Sequence, residues 1–278
     1  MKSLFDEVSA KCSKITTRKY STSFSLGILF LEKKMHDPIY AIYGFVRFAD
    51  EIVDSFHGFD KKNLLNNFRL ETYAAIENKI SLNPILNSFQ KVVHQNAIEM
   101  EWIDCFLDSM EMDLYKQDYN QEQYKKYILG SAEVVGLMCL HVFTEGDKKQ
   151  FELLKPYAMD LGSAFQKINF LRDVKDDIEG LGRTYFPDVN LLNFEARDKI
   201  KIEEDIEVDL ANALIGIKML PSGARKGVYL AYYYYKALFK KIKRLPPQKI
   251  MNERVRISNY QKMILMFKSN IRHQLNMF

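Results

Sequence analysis

DPIYAIYGFVRFADEIVDSF, residues Asp37–Phe56, predicts one long helix that is apolar on most of its sides. Asp37 is a residue type that caps helix N-termini, and Pro38 suits the first helical position because it lacks a backbone N–H. Apolar residues then recur at helical spacing as far as Phe56. The stretch therefore predicts a buried helix that begins at Pro38.

Helical periodicity extends over most of the chain, whereas the signals for strands are weak. The hairpin dipeptides Asn-Gly and Asp-Gly are absent, and no long run alternates apolar with polar residues. Breakers cluster near Gly58, Asn83–Pro84, Gly180–Pro187 and Pro246–Pro247. We expect an all-α protein of about eight to ten helices. The helical patterns cover residues 38–56, 64–79, 84–98, 101–115, 121–143, 148–179, 203–219, 222–244 and 252–275.

Composition limits the organisation of the chain and its partners. With only 12 glycines and 7 prolines in 278 residues, no flexible linker is visible, so we expect one domain over residues 1–278. The 40 basic and 36 acidic residues are too evenly balanced to indicate nucleic acid binding. The three cysteines, Cys12, Cys105 and Cys139, lie far apart and are typical of reduced thiols in the cytoplasm.

Targeting signals are not evident in the sequence. The N-terminus MKSLFDEVSAKCSK carries acidic residues and lacks the apolar segment of a secretory signal. No stretch approaches the roughly 18 apolar residues expected of a membrane span. We therefore expect a cytoplasmic protein, for which peripheral attachment to the inner membrane surface stays open.

Two of the predicted helices each carry a narrow polar stripe. A helix turns about 100° per residue, so residues three or four, seven and eleven positions apart share one line. Each stripe ends in a D-x-x-x-D pair. The stripes are Tyr43, Arg47, Asp50 and Asp54 in the first helix, and Gln166, Asn169, Asp173 and Asp177 in the second.

A solvated helix face would explain one such pair, and for a single pair it is the stronger interpretation. Two pairs within apolar helices favour function instead, because burying an unpaired carboxylate costs several kcal/mol and carboxylates at i,i+4 repel each other. A divalent cation removes both penalties, and Mg²⁺ prefers carboxylate, water and phosphate oxygens. Asp176 and Glu179 lie off the stripe and are interpreted as solvated or supporting groups.

At these residues the chain resembles the squalene/phytoene synthase family, the head-to-head isoprenoid synthases, and within it the bacterial phytoene synthases. AIYGFVRFADEIVD (41–54) is similar to the family's first aspartate-rich segment, and GSAFQKINFLRDVKDDIEGLGRTYFP (162–187) is similar to its second. Weaker similarity occurs, in chain order, at YSTSFSLG (20–27), SMEMDLY (109–115), GSAEVVGLM (130–138) and NERVRIS (252–258).

The resemblance implies a single large helical domain of the isoprenoid synthase type with a central cavity. It also implies a transferase that joins two geranylgeranyl diphosphates, through a cyclopropyl diphosphate, to phytoene for carotenoid biosynthesis. Squalene or dehydrosqualene synthesis from two farnesyl diphosphates is the alternative. A non-catalytic helical scaffold ranks lower, because such a relative would have lost aspartates from its motifs. An unrelated metal phosphohydrolase is disfavoured, because none of the five histidines lies within the motifs.

The resemblance also assigns roles to residues. The implied cofactor is Mg²⁺, with Mn²⁺ as an alternative, and NADPH is not expected although its use stays open. The implied metal ligands are Asp50, Asp54, Asp173 and Asp177. The implied catalytic residues are these four aspartates with Arg47 and Tyr43. The implied substrate-binding residues are Ser21, Gln166, Asn169, Arg172, Arg183, Tyr185, Tyr235 and Arg254.

The chain departs from the family pattern in two places. Ser131 and Glu133 stand where the family usually has valine and the first glycine of V-A-G-x-V-G, and Lys167 and Ile168 replace a usual Leu-Thr. We interpret these departures as affecting substrate detail more than reaction class. The nearest candidate for the family's active-site tyrosine is Tyr127.

A cavity that handles carbocations has to be dry and apolar. Ala132 and Gly136, four residues apart, allow the close approach of a prenyl chain or a neighbouring helix. The basic stretch Lys236–Arg244 has the composition of a membrane-surface helix, although a solvated basic face is the stronger interpretation. We expect a monomer or a weak homodimer. Candidate wall residues, each equally suited to the core, are Phe24, Phe45, Leu137, Met138, Phe165 and Phe170.

Overall fold

The structure, a computed structural model, describes residues 2–115, 119–177, 185–187, 189 and 194–274. Within these ranges the regular secondary structure is entirely helical, and no strand occurs. The all-α prediction is confirmed. In chain order the helices are α1 (Lys2–Tyr20), α2 (Thr22–Leu29), α3 (Lys33–Ser55), α4 (Lys61–Asn78), α5 (Pro84–Asn96), α6 (Met100–Met112), α7 (Gln121–Ile128), α8 (Val134–Thr144), α9 (Lys148–Asp176), α10 (Ala196–Met219), α11 (Ser222–Lys243), α12 (Pro247–Asn252) and α13 (Asn259–Gln274).

The predicted start of α3 is wrong by more than one turn. The helix begins at Lys33, with Glu32 at the N-cap position, so Asp37 is not the cap and Pro38 lies inside the helix. The first turn is held by Glu32, whose N–H donates to the Gly223 carbonyl at 2.8 Å and whose carbonyl accepts from the Met35 N–H at 2.9 Å. Proline near a helix start removes a single backbone hydrogen bond, which water can replace on an exposed turn.

Helix α1 did not stand out in the sequence because the face that it buries is not apolar. Its buried residues are Ser9, Ser13 and Thr17, one helical turn apart. The hydroxyl of Ser9 donates to the Phe5 carbonyl at 2.8 Å, and that of Thr17 donates to the Ser13 carbonyl at 2.9 Å. The side chains on this face are small, and those of Ser9 and Thr17 satisfy their hydroxyls within the helix, so α1 can approach α3 closely, which hydrophobic periodicity cannot signal.

Helix α3 lies in the middle of the hydrophobic core, as its sequence predicted. Phe45 is fully buried and stacks on Phe89 with ring centroids 4.0 Å apart. Phe68 and Phe106 contact the same ring, with centroids 5.7 Å and 5.3 Å away. One hydrophobic cluster contains buried residues from α2 to Ile257. The single-domain organisation stays a prediction.

A π-helical segment, Leu129–Glu133, joins α7 to α8 and packs against α6. At Gly130 an added Cβ would lie 2.3 Å from the Cys105 carbonyl oxygen and 2.7 Å from the Ser109 Cβ. Both distances are far below contact, so only glycine allows this approach of the two backbones. The segment matters for the site because Ser131 and Ala132 line the central cavity.

By length and composition alone, Gln121–Thr144 is apolar enough to cross a membrane, which corrects the expectation that no stretch approaches this length. Inside the protein, 56% of its apolar window is buried. This is weak evidence for a span, because the core helix of a globular protein passes the same test.

Substituting Gly130 with Ala should lower the free energy of unfolding by about 1–3 kcal/mol, because the backbone of α6 has to move away from the new methyl group. Urea denaturation followed by circular dichroism measures the change. The matched control is Gly27→Ala, where the nearest atom to the added Cβ is 3.4 Å away, an ordinary contact. An unchanged stability for Gly130→Ala would contradict the tight packing of the π-helical segment on α6.

Candidate active site

An apolar cavity of about 230 Å³ lies between α2, α8, α9, α10 and α11. Phe24 and Phe165 line it, as predicted, and Gln166 is one of its few polar wall residues. The other four candidate wall residues do not belong to the described wall; they pack within the surrounding core: Phe45, Leu137, Met138 and Phe170. The cavity is therefore apolar over most of its surface.

Small residues bring α9 close to α8 and to the π-helical segment along one side of the cavity. A Cβ on Gly136 would lie 3.0 Å from the Ala158 carbonyl oxygen, and a Cβ on Gly162 would lie 2.7 Å from that of Ala132. Ala132 and Gly136 also line the cavity. The approach of a neighbouring helix is therefore confirmed, and the approach of a prenyl chain from the cavity stays a prediction.

The first polar stripe begins at the cavity with Tyr43. Its ring packs on Phe24 with centroids 5.1 Å apart, and its hydroxyl is hydrogen-bonded to Ser21. Ser21 also caps α2, since its Oγ accepts from the Phe24 N–H at 3.1 Å. Burial raises the pKa of Tyr43 to about 12, although the nearby Arg47 opposes the shift. Tyr43 therefore remains a protonated hydrogen-bond donor at neutral pH.

Arg47 continues this stripe and gathers two carboxylates. Its guanidinium donates to Asp50 and to Glu51, and it lies 4.2 Å from the ring centroid of Tyr20. Burial disfavours the charge, but the two carboxylates outweigh burial and raise the pKa of Arg47. The buried Nε of Arg47 has no hydrogen-bond partner within the described part of the chain. Glu51 was not among the predicted site residues, although its spacing of four from Arg47 was a usable signal.

The second stripe begins at the opposite wall. Phe165 stacks on Tyr235 with ring centroids 3.8 Å apart, and the Tyr235 hydroxyl donates to the Asn169 Oδ1 at 3.3 Å. Burial raises the pKa of Tyr235, so this hydroxyl also stays protonated. The proximity of Tyr235 adds to the raised pKa of Tyr43. The two tyrosine hydroxyls therefore lie near each other.

Asp173, one turn beyond Asn169, is held by two arginines. The Arg172 Nε donates to its Oδ1 at 2.9 Å, and the Arg254 Nε lies 2.8 Å from the same oxygen. Arg254 also lies 3.5 Å from Asp176. Burial opposes the charge of Arg172, but hydrogen bonding to Asp173 raises the pKa of Arg172. The structure thus brings residues 254 and 173 together across 81 positions of sequence.

The remaining predicted residues lie elsewhere or beyond the described ranges. Tyr185 is buried, stacks on Phe170 with centroids 4.1 Å apart, and places its hydroxyl 3.4 Å from Asp113. Tyr127 donates to the same carboxylate at 2.8 Å. Asp54 and Asp177 are half-buried at the far ends of their stripes. Arg183 and Glu179 lie outside the described residues, and the roles assigned to all of these residues stay predictions.

The donor set at the stripes suits Mg²⁺ better than a softer ion. Its described oxygen donors are carboxylates, without cysteine or histidine: Asp50, Glu51 and Asp54 on α3, and Asp173, Asp176 and Asp177 around the end of α9. The described residues contain no group of three or more ligands already gathered into a cage. Mg²⁺ commonly binds through one or two carboxylates together with water and phosphate oxygens, so the residues fit the ion in this mode.

Glu133 and Lys167, which both depart from the family pattern, lie near each other on the side of α9 that faces away from the cavity. Lys167 is 7% exposed; its Nζ donates to Asp209 at 2.8 Å and is ion-paired with Asp205. Ser163 donates to the same Asp209 carboxylate at 2.7 Å. Glu133 lies close enough that Lys167 acts on its pKa. The sequence showed both residues as anomalies, but only the fold shows that they belong to one buried cluster.

An all-α core around an apolar cavity, with aspartate-bearing helices at its polar end, has the isoprenoid-synthase type of fold. The sequence profile of the squalene/phytoene synthase family matches residues 17–201, about two thirds of the chain. The chain belongs to the squalene/phytoene synthase family. The prediction of a transferase of the head-to-head class is therefore confirmed.

The relatives share modest identity with this chain. The 15-cis-phytoene synthase of Paracoccus sp. (strain N81106 / MBIC 01143) is 24% identical over 82% of this chain and 80% of that protein. The 4,4'-diapophytoene synthase of Staphylococcus haemolyticus is 25% identical over 68% of this chain and 65% of that protein. A crystal structure of a dehydrosqualene synthase in complex with ligand has a TM-score of 0.81 at 18% identity, covering 97% of this chain and 98% of that one. At this identity the structural likeness shows the fold alone.

Substituting Lys167 with Met should lower the free energy of unfolding by about 3–5 kcal/mol, because it leaves the buried Asp209 carboxylate without its cation. Chemical denaturation measures the change. Lys11→Met makes the same substitution in the exposed pair with Glu7 and should leave stability nearly unchanged. Equal effects of the two substitutions would contradict a buried ion pair.

Glu133 should make stability fall as the pH rises. Burial, with Asp209 and Asp160 adding to it and Lys167 opposing, raises the pKa of Glu133 from 4.5 to about 7. The folded protein therefore holds the Glu133 proton more tightly than the unfolded chain, and this advantage is lost as the pH rises from 4.5 to about 7. In Glu133→Gln this contribution, roughly 1–2 kcal/mol, should be absent from denaturation curves compared at pH 5 and pH 8. Identical pH dependence in both proteins would overturn the assignment.

Proposed function

We propose that this protein condenses two prenyl diphosphates head to head, through a cyclopropyl diphosphate, to a linear hydrocarbon. The observation that carries the proposal is that both polar stripes begin at the apolar cavity: Tyr43 packs on the wall residue Phe24, and Gln166 lines the cavity itself. A prenyl diphosphate has one long apolar part and one strongly anionic part. An apolar cavity that ends among a few convergent polar groups suits both parts of such a molecule.

The arginines of the stripes are proposed to hold the diphosphates. Arg47, Arg172 and Arg254 are half-buried or exposed beside the motif carboxylates, and guanidinium groups bind phosphate oxygens bidentately. The unpartnered Nε of Arg47 supports this role, because a buried N–H gains most from an incoming acceptor. Arg183, which is not among the described residues, is proposed to help bind the diphosphates.

The polar side chains at the cavity mouth are proposed to orient the diphosphate end of each substrate. Tyr43 and Tyr235 remain protonated, so each offers an O–H donor. Gln166 and Asn169 offer amide groups on the same stripe of α9. Ser21 positions Tyr43 by hydrogen bonding to it, and Tyr185 is proposed to support the site through its contact with Phe170.

Bound Mg²⁺, or Mn²⁺ in its place, would neutralise the charge that develops on a departing diphosphate. The ligands proposed to hold it are Asp50, Asp54, Asp173 and Asp177. In the structure, arginines compensate part of this acidic set, through the pairs Arg47–Asp50 and Arg172–Asp173. These residues hold the anionic end of the substrate at the polar end of the site.

The cavity is proposed to exclude water from the reacting carbons. Its wall combines aromatic rings with small residues such as Ala132 and Gly136, which leave width for a prenyl chain. Excluding water prevents the premature capture of an allylic cation. Proton loss then ends the reaction without a reductant, which is why NADPH is not expected.

The first candidate for the substrate is geranylgeranyl diphosphate, with phytoene for carotenoid biosynthesis as the product. Support comes from the alignment with the Paracoccus 15-cis-phytoene synthase over 82% of this chain. The second candidate is farnesyl diphosphate, giving squalene or dehydrosqualene, and the Staphylococcus 4,4'-diapophytoene synthase favours keeping it. We also propose that the protein is cytoplasmic, that it is a monomer or a weak homodimer, and that it has no nucleic acid partner. The scaffold alternative is disfavoured because all four motif aspartates are present.

Product analysis tests the proposal directly. Purified protein with Mg²⁺ should convert geranylgeranyl diphosphate to a forty-carbon hydrocarbon without NADPH, as identified by mass spectrometry. A thirty-carbon product from farnesyl diphosphate alone would move the assignment to the second candidate. Absence of hydrocarbon from either substrate, with no effect of EDTA, would leave the scaffold alternative.

Asp50→Ala and Asp173→Ala should each lower kcat at least about 100-fold, because each removes a carboxylate from the proposed diphosphate clamp. Circular dichroism should show an unchanged helical content. The matched control is Asp37→Ala, which removes an exposed carboxylate from the same helix as Asp50 and should keep full turnover. Full activity in either motif variant would rule out the assigned roles.

A further inference from the structure

The outward face of α13 carries an uninterrupted apolar stripe. Tyr260, Met263, Phe267 and Ile271 fall on one side of the helix and are 74%, 54%, 60% and 54% exposed. Single exposed apolar residues are common on protein surfaces, but four along one line of a helix are not. We therefore expect another surface to cover this stripe.

The inward face of α13 is more polar than the outward one. Ser269 is 3% exposed, Lys262 lies over the ring of Tyr234 at 5.7 Å, and Arg272 lies over the ring of Tyr233 at 5.9 Å. The inward face is mixed, since Leu265 also packs against the hydrophobic core, whereas the outward stripe is apolar along its whole length. Packing against the rest of the protein does not explain why the outward positions are apolar.

The segment that contains α13 carries only positive charge. Residues 254–274 contain five basic residues and no Asp or Glu: Arg254, Arg256, Lys262, Lys268 and Arg272. Of these, Arg256 and Lys268 are exposed, whereas Lys262 and Arg272 face inward and Arg254 pairs with Asp173 and Asp176. The whole chain has a net charge of only +4, so this excess is local. A helix with aromatic and aliphatic residues on one face and basic residues beside them has the composition of an interfacial membrane helix.

The helix lies close to the mouth of the candidate active site. The Lys262 Nζ donates to the Thr22 hydroxyl at 3.0 Å, next to Ser21 at the start of α2. Arg254, five residues before α13, pairs with Asp173. A surface that covered the stripe would therefore lie beside the opening through which an apolar substrate has to pass.

We propose that the outward face of α13 docks this protein onto a lipid bilayer that contains anionic headgroups. A second copy of the chain fits less well, because a two-fold interface through this face would bring two basic rims together. The basic stretch Lys236–Arg244, for which the sequence favoured a solvated face over a membrane contact, fits less well too. Its large apolar residues Leu238, Phe239 and Ile242 are buried, so it offers the bilayer only charge.

Vesicle flotation with the full-length protein, without substrate, tests this docking separately from the proposed reaction. The wild type should float with phosphatidylcholine vesicles that contain about one third phosphatidylglycerol, and salt should weaken this binding. The variant Met263→Gln/Phe267→Gln should bind at least about tenfold more weakly. Lys268→Gln should weaken binding to the anionic vesicles only.

The matched control is Leu70→Gln/Leu82→Gln, which removes two exposed apolar residues, 56% and 91% exposed, outside α13. It should float like the wild type, and all variants should keep the same circular dichroism spectrum. Failure of the wild type to float, or wild-type flotation by Met263→Gln/Phe267→Gln, overturns the proposal. If that variant instead converts a dimer to a monomer in light scattering while vesicle binding persists, the stripe is an interface between copies.

Discussion

Pairing between carboxylates and guanidinium groups on two half-buried helices is the constraint on which the rest of the structure depends. Arg47 holds Asp50 and Glu51, and Arg172 with Arg254 holds Asp173. Charges of one sign cannot be placed beside an apolar cavity without compensation. The arginines supply it within the protein, and they are also the groups suited to bind a diphosphate.

Close approach between helix backbones shapes the apolar cavity that lies next to these charged groups. Glycines allow α9 to meet α8 at Gly136 and the π-helical segment at Gly162, and they allow that segment to meet α6 at Gly130. On the other side, the buried hydroxyl residues of α1 let that helix approach α3 at Gly44, whose added Cβ would lie 3.3 Å from the Ser13 Oγ. Aromatic rings then fill the core, so the remaining space is a narrow apolar cavity and not a collapsed interior.

The buried cluster around Lys167 shows how a departure from a family pattern is resolved within a fold. Lysine between Gln166 and Asn169 would be costly if it were isolated, but Asp205 and Asp209 of α10 compensate it. Glu133 faces the same cluster from the π-helical segment. These residues lie behind the wall that carries Gln166, so their charges hold α9 in place without entering the cavity.

The sequence alone determined the helical class, the two aspartate stripes and the buried character of α3, because helical periodicity and side-chain polarity are local properties. It also pointed to the family through motifs that lie within single helices. It missed α1, whose buried face is polar, and misplaced the start of α3, which depends on a hydrogen bond to Gly223. The pairing of Arg254 with Asp173, the partners of Lys167 and the exposure of the apolar stripe of α13 were decided by tertiary structure, because each depends on which distant residue lies opposite.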